Sequence, residues 1–257
     1  MIKTNLYYKT VFKRKEVAKD VSLIAFLFIV SWPRLLLEVF VRKNFGERYF
    51  SLTTVIFLSI VLFFIPIGID KASHFYSGDS STISIIFKNI TWYLFLAGLL
   101  YVSFKRQKEI ARETGTFDFA KFSAYDGDIH PMFNNIEIKG KKVTRRQICI
   151  LVEPAFFLAI GIILALCVQK LGILIIFCSL CYALGYKADY IRGDHFILDT
   201  IDEMICNEEM VESFVHGRGP EETRGFEMRG NAGPSSEEFR KQIIDNLTDE
   251  EPTSEAR

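Results

Sequence analysis

Residues 21–186 contain nearly all the long apolar runs of the chain, and polar segments separate them. The clearest run is residues 51–69, which are 19 residues without a charge, and a helix needs about 20 apolar residues to cross a bilayer. Three further runs follow, at residues 90–104, 148–168 and 171–186. The pattern predicts an all-α integral membrane protein with four transmembrane helices in two hairpins, 51–104 and 148–186.

The apolar run nearest the N-terminus, residues 21–41, differs from the others because Pro33 and Arg34 interrupt it after 12 residues. Twelve residues are too few to span a bilayer. Arg34 and Glu38 are four positions apart, so on a helix they share one face. We predict that residues 1–50 form a basic N-terminus followed by a re-entrant or interfacial helix.

The distribution of Lys and Arg predicts the topology, because cytoplasmic loops are enriched in these residues. Six lie in residues 1–20, three in 42–50 and ten in 105–147, whereas residues 70–89 and 169–170 carry three together. Four crossings with a re-entrant N-terminal helix place 19 on one side and three on the other. Both termini are then cytoplasmic, in a plasma or inner membrane. The alternative is five spans with one basic terminus translocated.

The polar segments are predicted to be cytoplasmic. Residues 105–147 form a basic loop that contains a short hairpin around Gly140. Residues 187–216 contain an amphipathic helix that Asp194 can cap. Residues 217–257 are predicted to be a disordered tail, with one short helix behind a capping box of Ser235 and Glu238.

The amphipathic helix carries an apolar stripe, which we predict to be a partner-binding surface. Its six residues are Ile197, Ile201, Met204, Ile205, Val211 and Phe214. The acids of this helix lie mostly off the stripe and would meet a basic partner, or the chain's own loop with Lys139, Lys141 and Lys142. Packing against that loop is the structural alternative.

Arg34, Glu38 and Glu153 are candidate intramembrane polar residues, and such residues are functional candidates by default. Glu153 precedes Pro154 and could bind a cation or relay a proton. The structural interpretation, which we favour, places Glu153 at headgroup level in an ion pair with Arg145, Arg146 or Arg34.

Composition and motifs exclude several classes. Lys and Arg total 31, as do Asp and Glu, and this balance gives no reason to expect nucleic-acid binding. Five cysteines, spaced unlike a secreted disulfide scaffold, indicate a reduced or lipid-buried setting. Nucleotide-binding and hydrolase motifs are absent from the sequence, so we assign no catalytic residue, metal site or cofactor.

These observations favour a non-catalytic multi-pass membrane subunit or scaffold. It would present its cytoplasmic helix and tail to partner proteins, as a secretion, conjugation or signalling assembly requires. One alternative is a small-solute transporter or channel, in which copies of the chain assemble around a path or the re-entrant segment lines one. The spans lack the recurring polar positions that a water-filled route needs. A second is a membrane-surface enzyme that uses the acids of DGDIH (126–130) and HFILDTIDE (195–203).

Overall fold

The computed structural model describes residues 3–12, 17–73, 82–110, 122–138, 140–230 and 236–250. The chain divides into two units, one made of Met1–Ser22 with Ile191–Arg257 and the other of Leu23–Tyr190. We call these the terminal unit and the bundle unit.

The fold is all-helical apart from two short strand pairs. The helices are α1 (Val17–Val41), α2 (Leu52–Ser73), α3 (Thr82–Lys88), α4 (Ile90–Ile110), α5 (Pro131–Asn134), α6 (Arg145–Gln147), α7 (Glu153–Leu166), α8 (Lys170–Phe214) and α9 (Glu237–Leu247). Two π-helical turns occur at Tyr8–Phe12 and Ile148–Val152. The strands are β1 (Lys3–Asn5), β2 (Glu137–Ile138), β3 (Lys141–Lys142) and β4 (Thr248–Glu250). β1 pairs with β4 and β2 with β3, both antiparallel.

Within the described residues, four helical segments are long and apolar enough to cross a membrane. They are Val21–Val41, Leu52–Lys71, Arg145–Leu166 and Lys170–Phe214. The number and the all-α class agree with the prediction, but the set differs. The predicted span 90–104 lies in α4, whose last turns are charged, and residues 21–41 take its place among the four.

Residues 21–41 are one continuous helix, so of the two predicted forms the re-entrant one is wrong, and the interfacial one stays a prediction. Pro33 lies inside α1 without ending it. A proline removes one intrahelical hydrogen bond, and the helix on either side supplies enough regular bonding to continue. Ser31 donates to the carbonyl of Phe28 at 2.7 Å in the turn before Pro33.

The predicted break between the last span and the amphipathic helix is also wrong. α8 is one 45-residue helix, and Asp194 lies inside it rather than capping it. Residues 187–193 contain no proline. Gly193 alone costs only about 1 kcal/mol in a helix interior, which is too little to interrupt a helix supported on both sides.

In the polar segments, the predicted hairpin is present, but the C-terminal tail differs in part from its prediction. Glu137 pairs with Lys142 around Gly140, as predicted. Part of the tail predicted to be disordered is packed instead: Thr223 and Phe226 are buried. Composition alone missed this because Phe226 packs on Phe12, with ring centroids 5.8 Å apart, more than 200 positions away in sequence. Residues 231–235, including Ser235 of the predicted capping box, and residues 251–257 lie outside the described residues.

The bundle unit has a polar group at one end of its long helices. Asn89 donates to Asp70 at 2.8 Å, and Lys170 forms an ion pair with the same carboxylate. Thr91 donates to Gln169 at 2.7 Å. These contacts join the end of α2, the start of α4 and the turn between α7 and α8.

Candidate functional site

The other end of the bundle holds what we call the buried charge cluster. It consists of Arg34, Glu38, Arg42, Tyr49, Asp126, Glu153, Tyr182, Tyr186 and Asp189. Arg34 and Glu38 of α1, and Arg42 directly after it, lie on one face, because positions four apart align on a helix and the amide of Arg42 still donates to the carbonyl of Glu38. The cluster contains two of the largest fully buried charged side chains, Arg42 and Glu153, both 0% exposed.

Arg42 and Glu153 form the centre of the cluster. The Nη2 of Arg42 donates to Oε2 of Glu153 at 2.5 Å, and its Nε donates to the same carboxylate at 3.2 Å. The hydroxyl of Tyr182 donates to Oε2 at 2.5 Å. Each buried charge is therefore matched by an opposite charge and further hydrogen bonds, which burial demands.

Asp126 closes the cluster from the loop before α5. Its Oδ2 accepts from Nη1 of Arg42 at 2.8 Å, and its Oδ1 accepts from Arg145 at 2.6 Å. Burial by itself lowers the pKa of Arg42, but Tyr182, Tyr186 and Glu38 and the Glu153 hydrogen bond raise it above its usual value. The guanidinium therefore stays charged across the physiological pH range.

Glu38 sits beside this centre and is held mainly by tyrosines. Its carboxylate accepts from Tyr186 at 2.6 Å and from Tyr49 at 2.7 Å. The pKa of Tyr49 is raised well above its usual value by burial and by Glu38, which keeps this hydroxyl a donor. Nε of Arg34 lies 3.4 Å from Glu38, and its Nη1 donates to Asp189 at 2.7 Å.

Two glycines allow the loop that carries Asp126 to approach α1. Gly46 donates to the carbonyl of Tyr125 at 2.8 Å, and a Cβ at Gly46 would lie 2.3 Å from the carbonyl oxygen of Ser123. Gly127 has φ +90°, and its Cβ would lie 2.9 Å from the carbonyl oxygen of Lys43. The extended contact between residues 43–48 and 123–128 thus requires glycine at both positions.

The cluster is reached from one side through a cavity of about 270 Å³. The cavity is lined by Arg34, Tyr49, Ala124, Asp126, Tyr186, Asp189 and Tyr190. Towards the middle of the bundle the described side chains close over it: Tyr182 is 0% exposed, and Ser179 donates to the carbonyl of Pro154 at 2.6 Å.

The cluster brings together all three predicted intramembrane polar residues, Arg34, Glu38 and Glu153. The pairing predicted for Glu153 is wrong, because its arginine is Arg42 rather than Arg145, Arg146 or Arg34. In the sequence, Arg42 serves only as one of the three Lys and Arg residues of 42–50 that indicate topology. The signal that would have found it is the spacing of Arg34, Glu38 and Arg42 at four-residue steps.

Packing within the terminal unit partly buries some residues of the predicted partner-binding stripe and leaves the others exposed. Val211 and Phe214 pack against the buried group of Tyr7, Tyr8, Met210 and Phe226, and Ile205 is also partly buried there. Ile197, Ile201 and Met204 remain exposed, as does Leu198, which the periodicity missed. We call Ile197, Leu198, Ile201 and Met204 the docking stripe.

The docking stripe is a continuous apolar face. Its four side chains are between 44% and 58% exposed. Met210 lies nine positions after Ile201, about two and a half helical turns, so the buried side of the helix is opposite the stripe. The packing of the terminal unit therefore leaves this face uncovered in the described part of the chain.

Three of the residues proposed for an enzyme site have separate structural roles. Asp128 accepts from Asn44 at 2.7 Å, and His130 accepts from the amide of Met132. Glu203 accepts from the amide of Asn5 at 2.9 Å. Among the described residues, no group of three or more His, Cys, Asp or Glu side chains could hold a metal ion.

Searches against protein-family models, curated proteins and solved structures find no match to this chain.

Proposed function

We propose that this chain is a non-catalytic, multi-pass membrane subunit that recruits a partner protein on the cytoplasmic side. The observation that carries the proposal is the docking stripe. Exposed apolar side chains grouped on one face, opposite a face that is already packed, are typical of a protein interaction surface. These side chains are already about half buried, so burying the rest contributes roughly 1 kcal/mol each before the costs of association.

The bundle unit supplies the membrane anchor in this proposal. Leu52 to Asp70 of α2 spans about 27 Å at the helical rise of 1.5 Å per residue, close to the roughly 30 Å of hydrocarbon in a bilayer. The polar contacts of Asp70 mark one boundary, and the buried charge cluster marks the other. We infer that α2, α4, α7 and the first part of α8 cross as two hairpins, with both termini cytoplasmic. α1 is also long and apolar enough to cross, but we infer that it is interfacial, because Trp32 packs on Phe57 near the start of α2 and Val30 lies against Gly185.

A native cysteine tests this topology. Cys167 is exposed at the turn between α7 and α8, whereas Cys149, Cys178, Cys181 and Cys206 are buried. A membrane-impermeant maleimide should label Cys167 in intact cells. Lys43→Cys in a Cys167→Ser background should be labelled only after the membrane is permeabilised. The reverse pattern would place the termini outside.

The buried charge cluster supports an anchor over a transporter. Its carboxylates are held by arginines and tyrosines, and the described residues close it towards the middle of the bundle. Glu153→Gln in reconstituted vesicles separates the two functions. We expect proton and cation flux at background in both the parent and the variant. Parent flux that the variant loses would establish the transporter.

Purification in mild detergent tests partner recruitment. Ile201→Asp with Met204→Asp should release a co-purifying protein without lowering the melting temperature, because both side chains are exposed. Phe196→Asp is the matched control, since Phe196 is 71% exposed on the same helix but lies off the stripe. Release by the control as well would remove the stripe from the proposal.

A further inference from the structure

We infer that the docking stripe binds a basic amphipathic helix of the partner protein. This inference rests on the proposed function and specifies its partner. The charges that surround the stripe, and their positions along α8, determine which partner it fits.

An acidic residue lies beyond each end of the docking stripe. Asp194 lies seven positions before Ile201 and Glu208 seven after it, and seven residues are about two helical turns. Both carboxylates therefore lie on the centre line of the stripe. Glu208 is 59% exposed and forms an ion pair with Arg224.

Asp202 adds an acid on the flank. It directly follows Ile201, is exposed, and forms no ion pair with any residue that the structure describes. The nearest basic residue before the stripe is Arg192, and the next along the helix and its following turn is Arg218. Residues 194–212 thus carry seven acids and no Lys or Arg, which favours a partner with Lys or Arg beside its apolar residues.

A second copy of this chain fits less well. Copies embedded in one membrane share one orientation, so a two-fold pair would bring α8 helices together in parallel. The excess of acids on one α8 would then face the same excess on the other, and like charges across a helix interface oppose pairing. The acids also disfavour a lipid surface, because interfacial helices carry Lys and Arg next to their apolar face.

The partner segment is expected to be helical because of the spacing of the stripe. Ile197, Ile201 and Met204 follow the four-then-three spacing with which one helix packs along another. A matching helix would place apolar residues at the same spacing and basic residues on both edges. Its basic edges would face Asp202 and the acids at the ends.

The test uses the full-length protein in phosphatidylcholine nanodiscs and a labelled synthetic peptide. The peptide carries leucines at the spacing of the stripe and lysines on both flanks. A second peptide has glutamates in place of the lysines, and a third has the residues of the first peptide in scrambled order. Fluorescence anisotropy should show binding of the first peptide alone, weakened as salt rises because the charges are exposed.

Variants of the chain complete the test. Ile201→Ser and Asp202→Lys should each weaken binding of the lysine peptide, the first by about tenfold or more, while Phe196→Ser should not. Equal binding of the lysine and scrambled peptides, or equal loss with Phe196→Ser, would overturn the inference. The inference would also be overturned if the protein formed a dimer that Ile201→Ser dissociates, or if lipid protected Ile201→Cys from an aqueous thiol reagent.

Failure here is distinguishable from failure of the proposed function. If the lysine peptide does not bind but Ile201→Asp with Met204→Asp still releases a natural partner, the stripe recruits a protein of other chemistry. If neither is observed, the proposed function fails together with the inference.

Discussion

Two arginine–glutamate pairs of the same length lie in very different surroundings. Arg42–Glu153 in the bundle unit and Arg224–Glu208 in the terminal unit both have N–O distances of 2.5 Å. The first pair is 0% exposed on both sides, whereas the side chains of the second are 51% and 59% exposed. Water solvates the second pair whether or not it forms, so its partners contribute little to stability.

The buried pair is different because water cannot solvate either charge if the pair is broken. Each partner is needed to offset the desolvation of the other. The comparison shows how the chain uses its charges: within the bundle they hold helices together, and on the terminal unit they surround an apolar face. We assign stability to the first region and recognition to the second on that basis.

The largest expected effect comes from breaking the buried pair. Arg42→Met leaves Glu153 without its cation and should destabilise the bundle by roughly 3–5 kcal/mol. Arg42→Met with Glu153→Leu should recover most of that loss, because no charge is then left unpaired at the centre. Thermal unfolding in detergent, followed by a dye that reacts with the buried cysteines, gives the ranking. A double variant no more stable than Arg42→Met would contradict this account.

A somewhat smaller effect is expected from the loop that carries Asp126. Gly46→Ala or Gly127→Ala forces a Cβ against backbone and should cost roughly 1–3 kcal/mol, as overpacking does. Gly193→Ala is the control, because a Cβ there meets nothing within 4 Å and the helix should gain up to about 1 kcal/mol. The same unfolding assay applies. If Gly127→Ala were as stable as the wild type, the loop would not require glycine at position 127 to hold Asp126 in the cluster.

The smallest effect is expected for the exposed pair. Glu208→Gln should leave the melting temperature unchanged within error, because the pair is solvated in the folded and unfolded chain. Its effect should instead appear in peptide binding, where loss of an acid at the end of the docking stripe weakens attraction for lysine. A large fall in melting temperature would mean that the exposed pair is structural.

The sequence predicted the all-α class and the helical runs in α2, α7 and the first part of α8, because uninterrupted apolar runs report on burial directly. Arg34 and Glu38 could be placed on one face from local spacing. Arg42 and Glu153 are separated by 111 positions, and no local pattern indicates which of several arginines a buried carboxylate will meet.

The apolar stripe likewise shows that local sequence patterns predict a helix face but not which part of it the fold covers. Periodicity identified an apolar face along 197–214, but the fold covers its second half. Tyr7 and Tyr8, from the other end of the chain, belong to the buried group that contacts Val211 and Phe214. Which half stays exposed depends on that long-range packing, and so does the order found at Thr223 and Phe226.

The most direct test of the central claim is site-specific photo-crosslinking in native membranes. A photoreactive amino acid at position 201 should yield a discrete crosslink to another protein, and the same group at position 196 should yield none. Both positions are exposed on α8, so the difference reports on the docking stripe rather than on accessibility. Crosslinks to lipid or to a second copy of the chain from position 201, or equal protein crosslinks from both positions, would contradict the account.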